Sequence, residues 1–234
     1  MGVSAGAISS NLHRVRECIA GAARRGGRNP DDVMLVAVTK THSADAIRMA
    51  YEAGIRHFGE NRVQEWETKQ PVLADLAATW HLIGHLQSNK IARAVGLFTQ
   101  IDSVDTTSLA SKIERSAAGL RRVPILLEVR MDPAPAKTGI DPAELLAVAD
   151  AILPMAGLDL RGLMCVPPPF DAPDQARPYF RKLRELRDAL VRRHGIALPE
   201  LSMGMSHDFE TAIEEGATQV RLGTAIFGHR PHVL

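Results

Sequence analysis

A lysine that closely follows an apolar run is the clearest reactive group in this sequence. Lys40 comes after the run Val33–Val38 and Thr39, whereas the other lysines fall in predicted helices, at helix edges or in a loop. Partial desolvation at the end of a buried strand lowers the pKa of an amine and exposes the lone pair that attacks a carbonyl. The position therefore indicates an amine able to form a Schiff base. The alternative is a side chain that extends into solvent from a strand end.

Two segments near the end of the sequence have the composition of an anion site. Gly204 and Ser206 follow one predicted strand, and Gly223 and Thr224 follow the next. Glycine lets backbone N–H groups approach an anion, hydroxyls add donors, and the N-terminus of a following helix adds positive potential. These segments predict a phosphate site. The alternative is that Ser206 only caps the next helix and that the glycines only form turns.

Arg221 lies inside a predicted strand, where a buried guanidinium needs a partner. A carboxylate such as Glu128 could supply that partner. Alternatively, the side chain could face a phosphate or a ring nitrogen of a ligand. A guanidinium beside a ring nitrogen disfavours protonation of that nitrogen, because two cations would then be adjacent.

Other kinds of reactive site are not indicated. His81 and His85 are four residues apart but on a strand and its loop, so they need not share a face, and no cysteine or carboxylate completes a metal site by spacing. The sequence contains no G-x-S-x-G elbow and no P-loop. No G-x-G-x-x-G follows the first predicted strand, which disfavours a dinucleotide site.

Short apolar runs alternate with segments of helical periodicity along the whole sequence. The predicted strands are Val33–Val38, His57–Gly59, Trp80–Gly84, Phe98–Ile101, Val123–Val129, Leu160–Val166, Glu200–Met203 and Gln219–Leu222. The predicted helices are Ser9–Arg25, Ser43–Ala53, Arg62–Ala77, Ser88–Val95, Asp105–Ala117, Asp141–Leu153, Asp174–His194 and Asp208–Gly216. This alternation predicts an α/β fold, a single (β/α)₈ TIM-type barrel with an extra N-terminal helix, as one domain over residues 1–234. An open, doubly wound sheet is the alternative.

The composition is that of an ordinary globular protein and excludes several partner classes. The formal net charge is +1, from 28 basic and 27 acidic residues, so we expect neither a nucleic-acid partner nor a charged membrane surface. No apolar stretch is long enough to cross a bilayer, and no signal peptide is readable. Cys18 and Cys165 are too few for a disulfide framework. We therefore expect a cytoplasmic protein with reduced thiols.

Five sequence runs resemble the signatures of a known family, the pyridoxal 5′-phosphate (PLP) homeostasis proteins, also called proline synthetase co-transcribed homologues. The runs are Val36–Thr41, Phe58–Glu65, Trp80–Lys90, Leu201–Ser206 and Val220–Gly228. The resemblance extends over nearly the whole chain. It implies the fold of the alanine racemase N-terminal barrel, and a cytoplasmic protein that binds PLP and serves its homeostasis without robust catalysis of its own.

The resemblance also implies roles for individual residues around PLP. Lys40 would form the internal aldimine, Ser206, Gly223 and Thr224 would hold the phosphate, and Arg221 would lie near the pyridine nitrogen. Asn61 and His81 lie inside the matched runs and are expected as neighbours of the cofactor. The sequence departs from the family pattern at Arg130, where the family often has Asn, and His207 occupies a variable position.

Two classes of function follow from this resemblance. The favoured one is a PLP carrier, a monomer that passes the cofactor to PLP-dependent apoenzymes. The alternative is an amino-acid racemase or another PLP enzyme of the alanine racemase fold, which would need a second acid/base opposite the lysine. In the related racemases that group is a tyrosine from a partner subunit. Only Tyr51 and Tyr179 occur here, both in predicted helices. A phosphate-sugar isomerase or aldolase would share the lysine and phosphate loops but not the family runs.

Overall fold

The computed structural model describes residues 3–132, 134 and 138–228. The strands are β1 (Met34–Val38), β2 (His57–Glu60), β3 (Thr79–Leu82), β4 (Gln100–Val104), β5 (Val123–Glu128), β6 (Leu158–Met164), β7 (Glu200–Ser202) and β8 (Gln219–Leu222). The helices are α1 (Ala5–Arg25), α2 (Ala44–Glu52), α3 (Val63–Leu73), α4 (Ile91–Leu97), α5 (Thr107–Ala117), α6 (Leu145–Ile152), α7 (Arg177–His194), α8 (Phe209–Glu214) and α9 (Thr224–Phe227). No helix in these ranges combines the length and apolar character needed to cross a bilayer.

The eight strands form a closed parallel barrel in chain order. Closure is made by β1 and β8, where Met34 lies opposite Gln219 and Val36 opposite Arg221. The predicted (β/α)₈ barrel is confirmed, and the open sheet is wrong because the pairing of β8 with β1 closes the ring of eight strands and leaves no edge strand. The predicted helix start at Asp141 is also wrong. The Asp141 carboxylate accepts the Ala143 N–H in a turn, and α6 begins only at Leu145.

Helix α1 is the predicted extra helix, and it begins earlier than the periodicity indicates. The Ser4 hydroxyl accepts the Ala7 N–H as an N-cap, so the helix includes the segment before Ser9. Its apolar face is buried, including Leu12 and Ile19, and packs against α8 and α9. The Asn11 amide donates to the Ile226 carbonyl at 2.9 Å, which ties α1 to the last helix of the barrel.

The barrel has an apolar outer layer and a polar interior. Residues such as Phe58, Leu82 and Leu222 are fully buried between strands and helices. Hydrogen bonds between non-neighbouring strands must cross the interior, as in Gln219 Nε2 to Asp102 Oδ2 at 2.9 Å and Gln100 Nε2 to Glu200 Oε2 at 2.7 Å. Branched aliphatic side chains usually fill this space, so the polar filling is a specific feature of this chain.

Candidate functional site

A cavity of about 420 Å³ opens at the carboxyl end of the barrel. Six of the seven sequence-predicted site residues line it: Lys40, Asn61, Ser206, Arg221, Gly223 and Thr224. The remaining lining residues are Val38, His42, Ile83, Val166, Met205 and His207. The position agrees with the rule that functional residues of this fold lie in the loops after the strands.

Lys40 lies in a tight turn that directly follows β1. The Thr39 N–H donates to the Gly59 carbonyl of β2 at 3.0 Å, and the His42 N–H donates back to the Thr39 carbonyl at 3.1 Å. Thr41, the third residue of this turn, has φ +67°, and no other non-glycine residue in the described ranges has a positive φ. A β-branched residue rarely adopts this conformation. The turn ends β1 and places Lys40 among the residues that line the cavity.

The two loops predicted to bind phosphate are joined through Ser206. Its Oγ accepts the Gly223 N–H at 3.3 Å and the Ala225 N–H at 3.2 Å. Ser206 therefore bonds to the start of α9, and the interpretation that it only caps α8 is wrong. The N-cap position of α8 is Asp208, whose carboxylate accepts the Met205 N–H. The arrangement brings hydroxyl and backbone N–H donors together at one side of the cavity.

Arg221 is 4% exposed, and neutral acceptors hold its guanidinium. Nη1 donates to Ser202 Oγ at 2.6 Å and Nη2 to the Cys165 carbonyl at 2.8 Å. Burial lowers the pKa of the guanidinium, and nearby anionic groups, including Asp102 and Glu128, oppose that effect. The guanidinium is therefore bonded to a hydroxyl and a carbonyl, and the expected carboxylate partner, such as Glu128, is not among its described hydrogen bonds. Arg221 thus lines the cavity with no carboxylate among these guanidinium contacts.

Asn61 reaches the cavity because Gly84 lets two loops approach closely. A Cβ at Gly84 would lie 2.3 Å from the Asn61 carbonyl oxygen, closer than real atoms approach. Any side chain at position 84 would therefore push the loop after β3 away from the loop after β2. Glycine at this position fixes where Asn61 stands in the wall of the cavity.

His81 is not among the residues that line the cavity. It is 1% exposed. Its Nε2 lies 3.1 Å from His57 Nδ1, and its Nδ1 lies 3.3 Å from Asp102 Oδ2. Both ring nitrogens are thus occupied inside the barrel, and the structure does not bring His81 together with the other predicted site residues.

Sequence reasoning missed several residues of the cavity wall. The His42 ring stacks on Phe227 of α9, with ring centroids 4.4 Å apart. Ile83, Val166 and Met205 supply an apolar wall. The available signal was position, since each of these residues directly follows a strand or lies in the loop after it.

The two departures from the family pattern have different surroundings. His207 lines the cavity. Arg130 does not, because its Nη2 donates to Asp141 Oδ2 at 2.7 Å, on the loop that precedes α6. The structure therefore places His207, and not Arg130, where it could affect what enters.

A larger recess of about 780 Å³ lies at the opposite, amino end of the barrel. It is lined by residues at strand starts, such as Met34 and His57, and by several charged groups that have partners. Arg161 Nε, for example, donates to Glu200 Oε1 at 3.1 Å. This end of the fold usually serves stability, so we assign the functional site to the smaller cavity. The described residues contain no group of three or more His, Cys, Asp or Glu side chains arranged to hold a metal ion.

Comparison with known proteins relates this geometry to one family. Residues 3–231 match the model of the alanine racemase N-terminal domain. The pyridoxal phosphate homeostasis protein of Aquifex aeolicus (strain VF5) is 45% identical, over 94% of this chain and 97% of that protein. The structure of PipY from Synechococcus elongatus PCC7942 with PLP bound has a TM-score of 0.84 and 41% identity, over 94% of this chain and 100% of PipY. Alanine racemase from Corynebacterium glutamicum shares the fold alone, with a TM-score of 0.71 and 17% identity, over 99% of this chain and 63% of the racemase.

Proposed function

Because the chain belongs to the alanine racemase N-terminal domain family and, within it, to the pyridoxal phosphate homeostasis proteins, we propose that it binds PLP around Lys40 and serves PLP homeostasis as a carrier. The observation that carries this proposal is one cavity that combines the Lys40 amine with the loops of Ser206 and Thr224. PLP supplies an aldehyde, with which a primary amine condenses to a C=N bond with loss of one water.

The donors around the cavity suit each part of the cofactor. The hydroxyls of Ser206 and Thr224 and the backbone N–H of Gly223 would hold the phosphate, since such groups donate to anions. Arg221 would face the pyridine nitrogen and keep it unprotonated. Asn61 and the apolar wall would border the ring.

We propose that the protein does not catalyse amino-acid chemistry efficiently. Among the described residues lining the cavity none is a Tyr, Cys, Asp or Glu. Tyr51 lies under Arg56, 4.1 Å from the Arg56 Cζ to the ring centroid, and Tyr179 packs against Phe170. An unprotonated pyridine is a weak electron sink, and a two-base racemase needs an acid/base on each face of the cofactor.

Absorbance and reduction test the PLP assignment. Purified protein incubated with PLP should show an imine band that disappears with borohydride, and peptide mapping should place the pyridoxyl group on Lys40. Lys40→Ala should remove this adduct and keep the fold, whereas Lys182→Ala, an exposed lysine on α7, should keep both. A borohydride-fixed adduct that persists in Lys40→Ala would show that another lysine is used.

Incubation with amino acids separates the carrier from an enzyme. We expect PLP-loaded protein to leave L-alanine without measurable D-alanine or pyruvate over hours, under conditions in which a racemase control reaches equilibrium. Turnover that is lost in Lys40→Ala would favour the racemase alternative. His207, the ionisable residue at the variable position, would then be the first residue to replace.

The carrier proposal includes a compartment, an oligomeric state and recipients. We place the protein in the cytoplasm, supported by two unpaired cysteines, Cys18 and Cys165. We propose a monomer, and sedimentation of the PLP-loaded protein tests this. Recipients would be PLP-dependent apoenzymes, and their activation by loaded protein in the presence of a scavenger of free PLP tests direct transfer.

A further inference from the structure

A buried charged cluster forms hydrogen bonds with the backbone on both sides of Lys40. Lys69, on α3, has a side chain that is 11% exposed. Its Nζ donates to the Thr39 carbonyl at 2.9 Å, to Glu60 Oε1 at 2.8 Å and to Glu65 Oε1 at 2.6 Å. An ammonium group has three donors, so these contacts use all of them.

Each carboxylate in the cluster also contacts the Lys40 turn. Glu60 Oε1 accepts the Thr39 hydroxyl at 2.8 Å, and Glu65 Oε1 accepts the Thr41 N–H. The residue before Lys40 is therefore held at its carbonyl and hydroxyl, and the residue after it at its N–H. Glu60 is fully buried, and burial raises the pKa of its carboxyl while Lys69 and Thr39 oppose that rise.

The turn needs such restraints to keep its conformation. Thr41 has φ +67°, and strained backbone conformations persist only where the surroundings over-determine them. Lys40 lies between Thr39 and Thr41, both of which are hydrogen-bonded to the cluster. The position of its Cα and the direction of its side chain therefore depend on the turn. A relaxed turn would redirect the amine relative to the phosphate loops, which are built on other strands.

We propose that Lys69, together with Glu60 and Glu65, is a positioning cluster that aims the Lys40 amine at the aldehyde of the ligand. This inference rests on the proposed function. None of these three residues is among those that line the cavity. They act through the backbone of Thr39 and Thr41, and they leave the phosphate loops unchanged. The cluster should therefore affect covalent capture and not non-covalent binding.

Two ligands separate positioning from general damage to the site. PLP binds with both its phosphate and its aldehyde. 4′-Deoxypyridoxine 5′-phosphate has a methyl group in place of the aldehyde and cannot condense with an amine. The ratio of their dissociation constants reports the contribution of the covalent bond. A merely structural role would weaken both ligands alike and leave the ratio unchanged.

Glu65 offers the best variants, because it is partly exposed and its loss does not leave an isolated buried charge. Glu65→Ala removes the acceptor of the Thr41 N–H and of one Lys69 donor, whereas Glu65→Gln keeps an acceptor oxygen. Glu67→Ala is the matched control: it lies on the same helix, its side chain is 29% exposed against 24% for Glu65, and it pairs only with Arg93 in the described contacts.

We expect Glu65→Ala to reduce the preference for PLP over the deoxy ligand, measured as the affinity for PLP divided by the affinity for the deoxy ligand, roughly tenfold or more. The rate at which PLP forms a borohydride-fixable adduct should fall by a similar factor, because small misplacements of a reacting group have effects of this size. Binding of the deoxy ligand should stay within about twofold, and Glu65→Gln and Glu67→Ala should resemble the parent protein. An unchanged ratio in Glu65→Ala, or equal losses for both ligands, would overturn the positioning role alone. A parent protein that forms no adduct with PLP would instead overturn the proposed function, and this inference with it.

Discussion

The phosphate assignment makes a quantitative prediction at Ser206 and Thr224. Both hydroxyls line the cavity, and Ser206 Oγ already accepts the N–H groups of Gly223 and Ala225. Replacing Thr224 by Val removes one donor to a charged phosphate, which costs about 1.5 kcal/mol at the low end of such bonds. Replacing Ser206 by Ala removes one donor but frees two N–H groups for the phosphate, so its net loss is smaller, about 1 kcal/mol.

The double variant should therefore lose about 2.5 kcal/mol of PLP binding, or roughly 50- to 100-fold in Kd. Pyridoxal lacks the phosphate, so its affinity should change by less than about twofold. The two sites lie in one hydrogen-bonded group, so any departure of the double variant from this additive value is the coupling between them. Comparing each single variant with the double variant measures that coupling.

Equilibrium titration of the imine absorbance with PLP and with pyridoxal provides the assay. Ser10→Ala, an exposed serine on α1, serves as the control and should match the parent protein with both ligands. Equal losses for PLP and pyridoxal in the double variant would refute the phosphate assignment. A larger loss in Ser206→Ala than in Thr224→Val would show that the freed N–H groups do not reach the ligand.

Three further predictions concern the scaffold. Burial, and next the neighbouring His81, lower the pKa of His57 to about 4 from 6.5, so between these pH values the unfolded ring gains a proton that the native ring does not. The free energy of unfolding, measured with urea, should therefore decrease by about 1–2 kcal/mol as the pH falls through this range, after allowance for partial exposure. The decrease should be smaller in His57→Gln. An equal pH slope in both proteins would contradict this. Burial raises the pKa of the Cys165 thiol to about 12, so a thiol reagent should modify exposed Cys18 in the native protein and Cys165 only after unfolding; native labelling of both would contradict it. Thr41→Gly should raise the free energy of unfolding by about 0.5–1 kcal/mol, because glycine adopts a positive φ without the strain that a β-branched residue incurs. Thr68→Gly, in the helix α3, should lower the free energy of unfolding. Destabilisation by Thr41→Gly would show that the φ of +67° carries no strain.

The alternation of strands and helices could be predicted because period-2 and period-3.6 patterns differ clearly in this chain. The predicted β8 agrees with the observed Gln219–Leu222, and closure follows from the number of repeats. The prediction is wrong at β4, expected over Phe98–Ile101 but observed at Gln100–Val104. Asp is depleted in strands, and both Asp and Ser are common in turns, so Asp102 and Ser103 resemble a turn in the sequence. Both are fully buried, with Asp102 bonded to Gln219 across the barrel.

The cavity residues could be predicted because they directly follow strands, and strand ends converge in a barrel. Lys40, Ser206 and Thr224 come from three different loops and meet at one mouth. His81 was expected there because it lies near the end of the third predicted strand and within a matched run, but its place inside β3 puts its ring in the interior. The Lys69 cluster was not predictable, since no local pattern links a lysine on a helix to the carbonyl of Thr39, 30 residues earlier.

The interior of the barrel bears on why a carrier would hold PLP without activating it. Arg221 is bonded to the Ser202 hydroxyl and the Cys165 carbonyl, both neutral, so no carboxylate in its described contacts neutralises its charge directly. Asp102, one of the carboxylates near Arg221, is bonded to Gln219 and lies within ion-pair distance of His81 instead. Under the proposed function, the Arg221 guanidinium beside the pyridine nitrogen would keep that nitrogen unprotonated, which would weaken electron withdrawal from the carbon next to the imine. The same contacts that hold Arg221 in place would then let the protein keep a reactive aldehyde bound while limiting its chemistry.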